Sequence, residues 1–169
     1  MSDEPSTFEE FVAARGPTLA RSAYLLTGDR HLAEDLLQSA LARALPRWSR
    51  IEDPEAYLRR VLFTEHVSWW RRRRRLTEVP LDDHDAPARG DGADEDVPRR
   101  LAVEAALRSL TPKQRAVLVL RFYEDLSEAE AATVLGVSVG TVKSQTHVAL
   151  KRLRALAGVH PDLSLPERN

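Results

Sequence analysis

The stretch "LTEVPLDDHDAPARGDGADEDV", residues 76–97, limits what the rest of the chain can become. It carries eight acidic residues against one basic, interleaved with Pro, Gly and Ala, and offers no helical period and almost nothing to bury. Apolar contacts this sparse do not offset the conformational entropy lost on ordering. The segment therefore reads as a flexible acidic linker, and the 169 residues divide around it into two small domains. Their expected bounds are 1–75 and 98–157, with a tail over 158–169. The net charge of −1 is an average of unlike parts: 13 − 11 = +2 for residues 1–75, 1 − 8 = −7 for 76–97, and 11 − 7 = +4 for 98–169.

Both flanking parts read as helix and neither reads as strand, so the fold class is all-α. Thr7 and Glu10 form a capping box before Phe8, Phe11 and Val12. Gly16-Pro17 is expected to interrupt or kink that run before it resumes through Leu19, Ala23 and Leu26. A turn follows at "TGD". From Arg30 to Leu45, residues Leu32, Leu36, Leu37, Ala40, Leu41, Ala44 and Leu45 recur with helical spacing, leaving Glu34, Asp35 and Gln38 outside the stripe. Asp53-Pro54 opens a further helix expected to reach about Arg74.

The second part begins with a helix over Pro98–Leu110. Thr111-Pro112-Lys113-Gln114 then combines a capping box with a proline at the first helical position, and the helix it starts is expected to run through Val117, Leu118, Leu120 and Phe122. In "LSEAEAATVLGVSVGTVKSQTHVALKRLR", Ser127 and Glu130 cap a helix that Gly136 stops, and Ser138 caps the next one after a three-residue turn. This is a helix-turn-helix pattern. Ala131 and Ala132 permit close crossing, and Val137 and Val142 are expected to plug the angle between the helices. The outward positions are polar: Ser138, Thr141, Lys143, Ser144, Gln145, His147 and Lys151, with Arg152 and Arg154 beyond. Such a face suits base edges and phosphates of a DNA major groove; a plain helical hairpin with a solvated face is the alternative.

Several function classes are excluded on composition. At 43% hydrophobic and 30% charged residues, the chain is not disordered throughout. There is no cysteine, hence no disulfide and no thiolate metal site. His31, His66, His84, His147 and His160 show no metal spacing, and "DDHD" is a poor metal site because adjacent flexible ligands enforce no geometry. No nucleophile–base pair and no phosphate loop is present, so neither an enzyme nor a cofactor is expected. No apolar run reaches the roughly 18 residues that span a bilayer, and the first ten residues are acidic, so a cytoplasmic protein without membrane contact is expected. "WWRRRRR" as an interfacial membrane anchor is the competing reading.

Four stretches, "YLLTGDRHLAEDLLQSAL", "PEAYLRRVLFTEHVSWWRRRRR", "LTPKQRAVLVLRFYEDLSEAEAATVLGVSVGTVKSQ" and "ALKRLR", occur in an order that resembles bacterial RNA polymerase sigma factors of the extracytoplasmic-function group, in particular the SigE-like actinobacterial branch. The resemblance covers nearly everything outside the linker and the tail. It implies a factor that binds core RNA polymerase and promoter DNA, reading the upstream element with the C-terminal domain and reading and melting the downstream element with the N-terminal one. It also admits an anti-sigma factor as partner, and it implies that Glu34, Asp35 and Gln38 dock on a coiled coil of the polymerase's largest subunit; without it their face reads as ordinary solvated helix. A stand-alone helix-turn-helix regulator would share only the second domain.

The tryptophan–arginine run is read on its helix. At about 100° per residue, Tyr57, Leu58, Val61, Leu62 and Trp69 share one sector, expected to be core. Arg59, Phe63, His66 and Trp70 lie on the other side, and with Arg71, Arg72, Arg73 and Arg74 they form the expected surface for the melted downstream element, rings receiving bases and guanidiniums tracking phosphates. A second core or a contact with the neighbouring domain is the alternative for Phe63 and Trp70. Thr64 stands where many relatives have Asn, and Gln145 where the wider group often has Arg, so the promoter sequence does not transfer with the resemblance.

Overall fold

The computed structural model describes residues 7–76 and 97–157. Among the described residues every regular element is helical. The chain divides into two units, Met1–Asp82 and Asp83–Asn169. The acidic segment inside residues 77–96, with "DDHD" in it, and the tail over 158–169 lie outside the described residues.

The first unit holds α1 (Phe8–Thr27), α2 (Arg30–Ala44), a 3-10 turn (Leu45–Arg50) and α3 (Pro54–Leu76), with the three helices packed pairwise. Helix α1 begins at the expected capping box, Thr7 accepting from the Glu10 amide and Glu10 from the Thr7 amide, both at 3.2 Å. It then runs through Pro17 without the interruption that was one of the two expectations for Gly16-Pro17. Pro17 removes the bond to the carbonyl of Ala13, but both residues are exposed, so water can satisfy that carbonyl. Gly28, at φ 69, ends α1 by donating to the Tyr24 carbonyl at 2.7 Å. One residue later the Asp29 carboxylate accepts the Leu32 amide at 2.9 Å and starts α2.

Helix α2 is buried along Ala33, Ala40 and Ala44, while Leu32, Leu36, Leu37 and Leu41 are only half-buried and Leu45 is 54% exposed. Of the expected stripe, Ala40 and Ala44 form the buried line, joined by Ala33, and its leucines do not. Alanines occupy the line of closest approach because α2 packs against both α1 and α3, and the leucines flank it. Trp48 in the 3-10 turn closes the end of the unit against Phe8 and Phe11, with ring centroids 5.1 Å away in each case. Ion pairs tie the helices laterally: Arg15 to Glu55 at 3.2 Å between α1 and α3, and Arg43 to Glu65 between α2 and α3.

The second unit holds α4 (Val97–Arg108), α5 (Pro112–Leu118), a π-helical turn (Val119–Tyr123), α6 (Glu128–Leu135) and α7 (Val139–Ala157). Ala106, Leu110, Leu118, Ala149 and Leu153 form one cluster of its core, with Leu107 and Leu150 packed against them. Arg115 is nearly buried, at 6% exposure. Its guanidinium donates to the carbonyls of Leu107 at 2.8 Å, Arg108 at 3.1 Å and Leu110 at 3.5 Å, gathering the carbonyls at and just beyond the end of α4 onto one cation.

The helix expected to run through Phe122 instead widens after Leu118. The Glu124 amide reaches back to Val119 at 2.9 Å and the Leu126 amide to Leu120 at 3.0 Å, Arg121 donates to the Leu126 carbonyl, and Asp125 takes φ 54. This closing loop points Phe122 outward, at 47% exposure, and turns the chain toward α6.

Helix α6 starts at the reciprocal Ser127–Glu130 box, at 2.7 and 3.2 Å. It stops at Gly136, whose φ of 66 lies in the left-handed region. A Cβ built on Gly136 would meet nothing within 4 Å, so Gly136→Ala carries backbone strain without a clash. The expected loss is about 1–2 kcal/mol, read as a lower melting temperature of the second unit; an unchanged melt would mean that the turn relaxes to negative φ. Val142 is fully buried between α6 and α7 as expected. Val137 is not: at 41% exposure it leaves the plug to Val142, Ala131 and Ala132.

Candidate nucleic-acid interface

Helix α7 is anchored by its inner residues Val142, Ala149 and Leu153, all buried. The Ser138 hydroxyl accepts the Thr141 amide at 3.1 Å and lies 2.9 Å from the Thr141 hydroxyl, so both side chains stabilise the first turn of the helix. The 3.6-residue period then places Thr141, Ser144, Gln145, Val148, Lys151 and Arg152 on one outer ridge. All are exposed except Gln145, which is half-buried. Lys143 and His147 are exposed on the adjoining flank, and the Lys143 ammonium lies 3.7 Å from the Glu128 carboxylate at the start of α6. The helix-turn-helix residues named from the sequence are thus gathered on the outside of α7 and its first turn. Val148 is absent from that set, although its spacing from Thr141 and Ser144 is legible in the sequence.

Helix α3 requires a correction. Phe63, His66 and Trp70, expected on an open face, are 0%, 1% and 8% exposed, whereas Trp69, expected as core, is half-buried. The buried residues Leu58, Leu62, His66, Trp70 and Phe63 fall on a single arc roughly 140° wide. The division drawn from the sequence cut through this arc. His66 and Trp70 meet edge to face at 6.5 Å, and Trp69 and Trp70 at 4.9 Å. Arg59, also expected on the open face, is half-buried and pairs with Glu55 at 3.3 Å.

The arginine run likewise divides. The Arg73 guanidinium lies over Trp69 at 5.1 Å and Trp70 at 5.6 Å from the ring centroids, a cation–π arrangement that turns it back along the helix. Arg71, Arg72 and Arg75 are exposed; the side chain of Arg74 lies outside the described residues. A cavity of about 310 Å³ between α2 and α3 is lined by Leu32, Asp35, Leu36, Ser39, Trp69 and Arg72, among others. Arg72 and the half-buried ring of Trp69 therefore share one concave surface. Of the two indoles, Trp69 rather than Trp70 reaches this surface.

On α2, Glu34, Asp35 and Gln38 are all exposed. Glu34 pairs with Arg30 one turn earlier at 3.3 Å, and Asp35 reaches the rim of the α2–α3 cavity. Among the described residues, no group of three or more His, Cys, Asp or Glu side chains is placed to hold a metal ion. Nor is any of their helices long and apolar enough to cross a membrane.

Two helical units, one ending in an arginine-rich helix and the other in a helix-turn-helix, define the class. Residues 11–76 match Sigma-70 region 2 and residues 100–153 match Sigma-70, region 4. The chain belongs to the sigma-70 family and is a sigma factor of the extracytoplasmic-function group, directing RNA polymerase to promoters. It is similar to the RNA polymerase sigma-E factor of Streptomyces coelicolor, with 47% identity over 150 residues that cover 87% of this chain and 84% of that one. It is also similar to the ECF RNA polymerase sigma factor SigE of Mycolicibacterium smegmatis, at 33% identity over 91% of this chain and 63% of that one. Among solved structures, the sigma factor RpoE of Bartonella quintana, in complex with the anti-sigma factor NepR, superposes with a TM-score of 0.69 at 26% identity, covering 90% of this chain and 98% of that one. The resemblance read from the four sequence stretches is established by these matches.

Proposed function

We propose that the two units divide the promoter between them, α7 reading the upstream element in the major groove and α3 handling the downstream element as it opens. The observation carrying this reading is the order of the two family matches, region 2 on the unit with the arginine-rich helix and region 4 on the unit with the helix-turn-helix. A stand-alone regulator would need no region 2.

In the upstream unit, Gln145, Ser144 and Thr141 face base edges, while Lys143, His147, Lys151 and Arg152 hold phosphates. In the downstream unit, Arg71 and Arg72 track phosphates, and Trp69 at the cavity mouth takes the stacking role that the sequence had suggested for Trp70. Glu34, Asp35 and Gln38 present an acidic and amide surface of α2 to a coiled coil of the polymerase's largest subunit. The chemistry of transcription belongs to the polymerase, and this chain contributes binding and positioning in the cytoplasm. An anti-sigma factor is a further partner, by extension from the Bartonella quintana complex.

Reconstitution with core polymerase on promoter DNA, followed by mapping of transcript starts, tests the reading. Starts are expected only when both components are present, and with a fixed upstream sequence preference. That preference is expected to change with Gln145→Ala, while Lys143→Ala weakens binding with little change of preference. Tight, sequence-specific DNA binding by the free chain would overturn the division of labour.

A further inference from the structure

The outer ridge of α7 contains one side chain that a phosphate- or edge-bonding surface does not require. Val148 lies in line with Thr141 and Ser144, between Gln145 and Lys151, and is 46% exposed. A β-branched residue has no intrinsic preference for a solvated helix face. Its neighbours on the ridge are polar or basic, so Val148 does not extend an apolar patch toward another protein. It does not brace the fold either, because the inner side of α7 is filled by Val142, Ala149 and Leu153. Among groups displayed in a DNA major groove, the C5-methyl of thymine is the one that an apolar side chain recognises.

We propose that Val148 is a specificity-determining residue that selects a thymine in the upstream element by packing against its C5-methyl group. This rests on the reading of α7 as the helix that enters the major groove. Val148 is three residues, about 4.5 Å along the axis, beyond Gln145. The selected thymine therefore lies within about one or two base pairs of the position whose preference depends on Gln145, on either strand. Removing its methyl group is expected to weaken binding about fourfold, the effect of one methylene-sized apolar group.

The test uses holoenzyme reconstituted from the full chain and the upstream element obtained by selection on randomised promoters. Each thymine in that element is replaced singly by uracil, and binding is measured for the wild type, Val148→Ala and Gln145→Ala. The expected result is one position where uracil weakens wild-type binding about fourfold and leaves Val148→Ala indifferent. Val148→Ala melts as the wild type does, because an exposed position is being trimmed. Equal uracil sensitivity in wild type and Val148→Ala, or no methyl-sensitive thymine at all, overturns the proposal. If Gln145→Ala still shifts base preference in either case, the α7 reading survives and only the role of Val148 fails. If no α7 variant shifts preference, the α7 reading itself fails.

Discussion

Trp70→Ala is expected to lower the stability of the N-terminal transition by about 3–5 kcal/mol, a large part of what holds a small domain together. The indole is 8% exposed and meets His66 and Trp69 edge to face, so alanine would leave a void that the surrounding helices cannot collapse into fully. Trp69→Ala is expected to cost less than half as much, because its half-buried ring already borders an open cavity. Urea unfolding of the full chain followed by circular dichroism measures both. If Trp69→Ala proves the more damaging of the two, the inward and outward assignments along α3 are reversed.

Arg115→Met should prove nearly as harmful to the second unit, at about 3 kcal/mol, since a charge-assisted hydrogen bond contributes roughly 1.5–3 kcal/mol and at least two well-formed ones are lost. Methionine can fill the space of the aliphatic stem but donates nothing, leaving the carbonyls of Leu107 and Arg108 without the guanidinium. Arg115→Lys is expected to recover only part of the loss, because an ammonium group cannot spread donors over several carbonyls as a planar fork does. Thermal unfolding of the three proteins decides the matter: a melt of Arg115→Met within about 0.5 kcal/mol of wild type would show that the end of α4 does not depend on this side chain.

The features legible in the sequence are those whose cause lies within a few residues. The capping boxes at Thr7, Thr111 and Ser127 and the glycine stop at Gly136 each consist of partners three or four positions apart, and each appears where it was expected. The resemblance was legible for a related reason, since it rests on the order of local stretches. What could not be read depends on neighbours distant along the chain. A helical wheel gives the angles of Phe63, His66, Trp69 and Trp70, but not the direction from which the covering surface arrives. For an arc as wide as that of α3, the inward line cannot be chosen from polarity alone, particularly when one member is His66. Arg115 was equally opaque: a charged residue in an apolar run acquires its meaning from carbonyls five to eight positions earlier. Pro17 leaves α1 uninterrupted for a reason of the same kind. Its cost to α1 depends on whether the freed carbonyl faces water, and here Ala13 and Pro17 share an exposed side.

The lateral ion pairs also bear on how the protein would respond to salt. Binding to a duplex gains free energy from counterions released by the phosphates, and the logarithm of affinity falls with the logarithm of salt by roughly 0.9 for each phosphate neutralised. Arg43 is already matched by Glu65, while Arg15 and Arg59 share the one carboxylate of Glu55. Recruiting Arg43 to a phosphate would release a carboxylate that draws cations back, so the net ion count would barely change. Where the arginines at the far end of α3 meet phosphates, lengthening or trimming that end by one arginine is expected to move the slope by about one unit.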